Sequence, residues 1–226
     1  MSEAFIEKYA LFVILGHYGS GKTNLALNMA LKLCRLGRKP LLVDLDVVNP
    51  YFRSTDYHEL IDAEGIRLLG PVFGSSNLDA PSLSPGIDTA IAQASLNAPV
   101  ILDVGGDADG VRALARFVPT IKQVANKLVL AVINTRRPET QSVEGNLVML
   151  DELSSTSSLT IDALVGNTHL AEFTTLDTVT DSVPVLKELA LSSGLPLAAV
   201  TIPVDLPLPG DELFMPIKRL VKTSWQ

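Results

Sequence analysis

Eight consecutive residues, Gly16-His17-Tyr18-Gly19-Ser20-Gly21-Lys22-Thr23, fill every fixed position of G-x-x-x-x-G-K-[ST], the spacing of a loop that wraps a polyphosphate. Glycines let the backbone curl so that successive N–H groups point inward. The amides of Gly16, Tyr18, Gly19, Ser20 and Gly21, and of the helix start through Asn24, would face phosphate oxygens. Lys22 would reach the outer phosphates, and the Thr23 hydroxyl would ligate Mg²⁺.

Carboxylates recur at two further places where a metal or a water would need them. Pro40-Leu-Leu-Val-Asp-Leu-Asp46 is an apolar run ending in Asp44 and Asp46. Asp is a poor strand former, so a pair closing a strand suggests a site. Asp44 could support Mg²⁺ and Asp46 could polarise an attacking water. Ala98-Pro-Val-Ile-Leu-Asp-Val-Gly-Gly106 is also apolar and then gives Asp103, the form of a strand whose Asp holds Mg²⁺ through water. Asp103 to Gly106 also fits D-x-x-G, in which a glycine N–H can sense a terminal phosphate. Asp107 and Asp109 read equally as helix-capping acids.

These residues need a scaffold that brings strand ends together. Apolar strand candidates fall at 9–15, 40–46, 66–70, 99–104, 127–134, 161–166 and 197–202. Helical stretches fall between and after them at 22–36, 86–96, 110–118, 140–153, 176–193 and 210–222. The strands are continuous Val/Ile/Leu runs, as burial on both faces requires. Strand alternating with helix predicts one doubly wound α/β domain over 1–226, with a mainly parallel sheet of about seven strands. Ligands in such sheets sit at the carboxyl ends of the strands, where the loop and the carboxylates lie. The turn-rich stretch 74–86 is the longest loop.

Composition narrows the classes of partner. The chain has 226 residues and net charge −7, which argues against nucleic acid as the main partner. Its one cysteine, Cys34, allows no internal disulfide. The first residues lack a signal-peptide core, and no apolar run reaches the roughly 18 residues that cross a bilayer. The expectation is a soluble, cytoplasmic protein.

The order of phosphate loop, D-x-D strand end and D-x-x-G strand end resembles the SIMIBI class of P-loop proteins, which includes MinD/ParA partition ATPases, CbiA-type synthetases and metallocentre GTPases. The resemblance covers residues 9 to about 222. Val165-Gly-Asn-Thr-His169 is similar to the strand end whose Asn contacts the base in MinD-like members, which implies that role for Asn167. Thr201-Ile-Pro-Val-Asp205 resembles the segment closing over the base, implying contacts from Pro203 and Asp205. His17 stands where MinD/ParA proteins carry a signature lysine that crosses a dimer, so a homodimer is left open. Guanine-reading relatives use N/T-K-x-D, and Asn134-Thr-Arg-Arg137 lacks its Lys and Asp, which favours adenine. The resemblance implies a slowly hydrolysing Mg²⁺–ATP switch acting on a partner protein, with Lys22, Asp44 and Asp46 as the catalytic set. A ligase or kinase activating a small carboxylate, and a metal or cofactor assembly factor using ATP or GTP, are the alternatives.

Three segments carry further candidates. In Val47-Val-Asn-Pro-Tyr-Phe-Arg-Ser54, Asn49, Tyr51 and Arg53 could meet a partner, substrate or transition-state charge, or form a surface turn. Arg136 and Arg137 at a strand's carboxyl end suit a phosphate, carboxylate or base edge, or a solvated pair. The last stretch, Asp211–Lys222, reads as an amphipathic helix docking on the sheet rather than touching a membrane.

Overall fold

A computed structural model describes residues 1–46, 58–70 and 86–221. Among the described residues eight strands form one sheet: β1 (Leu11–Leu15), β2 (Leu41–Asp44), β3 (Arg67–Leu69), β4 (Val100–Asp103), β5 (Lys127–Ile133), β6 (Ala163–Gly166), β7 (Leu197–Pro203) and β8 (Phe214–Ile217). Their order is β3-β2-β4-β1-β5-β6-β7-β8. Every pairing is parallel. The sheet is therefore wholly parallel and has one strand more than the sequence predicts.

Alternation along each strand sorts its residues into two cores. From β1, Leu11, Val13 and Leu15 enter one apolar cluster, while Phe12 and Ile14 enter the other. β5 does the same with Val129, Ala131 and Ile133 against Leu128, Leu130 and Val132. Such two-sided burial is what the unbroken apolar runs encode. On the Phe12 face lie α1 (Glu3–Ile6), α2 (Lys22–Arg35) and α3 (His58–Ala63), through Ile6, residues such as Leu25 and Leu33, and Ile61. The other face carries α4 (Gly86–Ala92), α5 (Ala108–Ala115), α6 (Val118–Gln123), α7 (Val143–Ser157), α8 (Leu176–Thr180) and α9 (Val183–Ser193).

Two expected helices are each two. The stretch at 110–118 divides into α5 and α6, and the one at 176–193 into α8 and α9; Pro119 and Pro184 sit in the first turn of the second member. Proline lacks the N–H that an interior helical position must donate, but fits a helix start.

The expected helix at 210–222 is corrected outright: the segment forms β8 and then runs on without helix. Pro216 lies inside it, and an interior proline would break the helix at a cost of about 3 kcal/mol. An edge strand tolerates it, because the missing N–H has no neighbour to serve. Met215 and Ile217 turn inward while Pro216 faces out. Two asparagines one turn apart on α2 then hold the chain beyond β8. Asn28 exchanges both amide bonds with Lys218, at 2.7 and 2.9 Å. Asn24 accepts from the N–H groups of Leu220 and Val221.

Candidate phosphate site

β1 ends at Leu15, and the next turn of regular structure is α2, whose N-cap is Gly21 in a left-handed conformation (φ 82°). No side chain caps α2, and its first turn holds no acidic residue. Its leading N–H groups, with the positive end of the helix dipole, are thus directed at whatever enters the loop. Capped helices elsewhere differ: Asp107 accepts from Gly110 N–H at the start of α5, which gives that acid the capping role.

Three loop carbonyls are each held by a side-chain donor. Lys22 Nζ donates to His17 O at 3.1 Å. Asn134 Nδ2 and Arg137 Nε donate to Gly19 O at 3.3 and 3.0 Å. Asn167 Nδ2 donates to Ser20 O at 2.6 Å. Asn167 is itself fixed, because Thr201 Oγ1 donates to its Oδ1 at 2.5 Å. Asn134 is fixed too: its Oδ1 accepts from the Arg136 and His169 amides. Both asparagines are buried. They stand just beyond β5 and β6 and clamp neighbouring residues of the loop. The Ser20 amide donates to His17 O at 3.2 Å within the loop, and with the carbonyls drawn into these contacts the other loop amides are left for anions.

On the other flank of β1 stand the acids. Asp44 and Asp103 are buried and in register as the last residues of β2 and β4. Asp44 Oδ1 accepts from the Asp46 N–H at 2.9 Å. Asp46 is half-buried and faces the D-x-x-G segment: a methyl group on Gly105 would lie 3.4 Å from its carboxyl carbon. Burial lowers the pKa of Lys22, opposed by Asp103, then Asp46, then Asp107, whose negative charges favour the ammonium. Gly106 closes this side against the loop. A methyl group there would come 2.6 Å from Lys22 Nζ and 2.7 Å from the Tyr18 nitrogen, so only glycine permits the approach.

The donor set suits magnesium, a hard cation that takes oxygen ligands and keeps several waters. Among the described residues no group of three or more His, Cys, Asp or Glu is placed to chelate a metal. An ion here would rest on phosphate, water and one or two side chains.

The remaining sequence candidates are placed as follows. Thr23 is in the first turn of α2. The Asn24 side-chain oxygen serves the segment after β8. Pro203 ends β7, and the Asp205 carboxylate accepts from Arg219. Arg136 pairs with Asp181 at 3.5 Å on the surface, and its neighbour Arg137 is the arginine that reaches the loop. Asn49, Tyr51 and Arg53 lie outside the described residues. Reading the sequence missed the tether at Asn134, which looks like a failed guanine motif; a polar residue closing the strand beside β1 was its available signal.

His169, three residues beyond β6, packs under the loop. A methyl on Gly21 would lie 2.9 Å from its Nε2. Its Nδ1 accepts from Ala171 N–H at 3.4 Å, which favours the Nε2–H tautomer. Burial, and then the positive charge of Arg137, lowers its pKa to about 4.

No protein-family model matches the chain, and no curated protein matches its sequence. Its architecture does match solved structures. The cell division protein FtsY of Thermotoga maritima aligns with TM-score 0.55 at 17% identity, over 85% of this chain and 61% of that one. FtsY of Mycoplasma mycoides aligns with TM-score 0.56 at 17% identity, over 85% and 60%. The 54 kDa signal recognition particle protein of Aeropyrum pernix K1, in complex with GDP, aligns with TM-score 0.54 at 18% identity, over 85% and 41%. The chain thus spans about three-fifths of the FtsY chains and two-fifths of the particle protein. At these identities the likeness is one of fold. The chain has the parallel α/β fold of these FtsY and signal recognition particle structures.

Proposed function

We propose that residues 1–226 form a single nucleotide-binding domain that takes a Mg²⁺–nucleoside triphosphate at the 16–23 loop, hydrolyses it slowly and uses the change to engage a partner protein. The observation that carries this reading is the loop itself. Its carbonyls at His17, Gly19 and Ser20 are held by four side chains, and the α2 N-terminus behind it is uncapped. Such a loop is organised for an anion before the anion arrives, which lowers the ordering cost of binding.

In this reading the loop amides and Lys22 hold the phosphates. The Thr23 hydroxyl, Asp44 and Asp103 support magnesium, which when bound neutralises charge on the phosphate oxygens. Asp46 orients the attacking water. Gly106 lies so close to Lys22 Nζ and the Tyr18 nitrogen that a methyl group there would not fit, so a terminal phosphate arriving there would shift this segment. That is how a switch reports which nucleotide is bound.

For the base we favour adenine. Neither tethering asparagine is followed by K-x-D: the sequences are Asn134-Thr-Arg-Arg137 and Asn167-Thr-His-Leu170. Two fold neighbours, the Aeropyrum pernix protein and FtsY of Elizabethkingia anophelis, were crystallised with GDP, so GTP belongs in the same test. The ligase or kinase reading draws less support, since Arg136, a candidate for the substrate carboxylate, pairs with Asp181.

Release of ADP or GDP by wild-type protein and by Lys22→Ala tests the proposal. Turnover of the order of 10⁻² per second or slower, abolished by the substitution, is expected for a switch awaiting its partner. Turnover that survives loss of Lys22 would end it.

A further inference from the structure

The sheet order assigns the two ends of the site to different sides of β1. On the β4 and β2 side lie Asp103, Asp44, Asp46 and Gly106, with Lys22 Nζ against Gly106. On the β5 and β6 side lie Asn134, Arg137, Asn167 and His169. A nucleotide whose terminal phosphate and metal face the acids must carry its nucleoside toward β5 and β6.

Arg137 is the cation on that side. Its Nε–H donates to Gly19 O at 3.0 Å. A methyl on Gly19 would lie 2.7, 2.8 and 2.9 Å from its Nε, Cζ and Nη2. Three nearly equal distances mean that the guanidinium lies over Gly19 face first rather than edge on. One face rests on the loop, and Arg137 is exposed. Gly19 also sits at φ 73°, where side chains are disfavoured, which keeps this floor free of a Cβ. Arg136 has turned away to Asp181, and His169 behind Arg137 is held neutral by burial.

We infer that the outward face of the Arg137 guanidinium is the surface on which the nucleobase of the bound nucleotide stacks. The group is planar, weakly hydrated and already fixed at Nε, so its flat face meets an aromatic ring at little ordering cost. Stacking is tolerant of base identity, because each base presents a π-face. Arg137 is then a positioning residue for adenine or guanine alike, and the phosphates remain the task of Lys22 and the amides. This inference rests on the nucleotide-binding reading.

Calorimetric titration separates the two. The probes are Mg²⁺ with ATP, with GTP and with inorganic tripolyphosphate, which has no base. The proteins are wild type, Arg137→Ala and Arg137→Lys. Removing the guanidinium also frees Gly19 O, so tripolyphosphate is expected to bind somewhat more weakly, and ATP and GTP to lose roughly tenfold more than tripolyphosphate does. Lysine, which is charged but has no flat face, should not restore the loss. Equal weakening for all three probes, or none for any, would overturn the stacking role while leaving the nucleotide site in place. Wild-type protein that binds none of the three would overturn both.

Discussion

A half-buried histidine beside an arginine is favoured in its neutral form, and at His169 that preference becomes a pH dependence. Its pKa is about 4 in the folded chain against 6.5 for the ordinary group. Between those values the unfolded chain binds the extra proton and the folded chain does not. Stability therefore rises with pH across this window and falls as pH drops from about 6.5 toward 4. The full difference corresponds to about 3 kcal/mol. His169→Asn should flatten this part of the profile. Urea melts at pH 7 and pH 4.5 would check it: the variant should lose less stability on acidification than wild type, and parallel losses would contradict the neutral, half-buried ring. Asn167 makes a related point without titrating. One amide joins Ser20 of the loop to Thr201 of β7, so a residue read from resemblance as a base contact also binds the loop to the sheet.

Among the elements, the sequence is most informative where period and punctuation agree. β1, β2, β4 and β5 are legible as apolar runs, and the ends of α2 lie within a residue of the expected ones. The segment after β7 is not. Leu213, Phe214, Ile217, Leu220 and Val221 satisfy helical spacing, but Pro216 forbids the helix and an open sheet edge accepts the strand. Tertiary pairing decided between two periods that a short segment fits about equally. Arg137 was legible only as half of a pair, because its part depends on the loop after β5 bending it onto Gly19. The account of the C-terminal segment makes its own prediction. Asn28 both donates to and accepts from Lys218, so Asn28→Ala should cost about 1–2 kcal/mol and speed amide exchange at residues 218–221. Unchanged exchange there would show that α2 does not hold that segment.

Across the whole molecule, one parallel sheet gathers the loop, both buried acids and both tethering asparagines at its carboxyl edge. The chain between these points is mostly scaffold, with apolar clusters on the two faces. No described helix is long and apolar enough to cross a membrane. The fold is shared with proteins less than one-fifth identical in sequence, so what this chain does must be read from its loop rather than its architecture. The central claim is that the loop holds a triphosphate through Lys22. Equilibrium binding of a non-hydrolysable Mg²⁺–ATP analogue to wild type and Lys22→Ala, each verified as folded by circular dichroism, tests it most directly. The account predicts saturable binding by wild type that the substitution weakens at least tenfold, the loss of about 1.4 kcal/mol or more expected for a charge-assisted contact. Equal binding by both proteins, or none by wild type to ATP and GTP analogues alike, would contradict it.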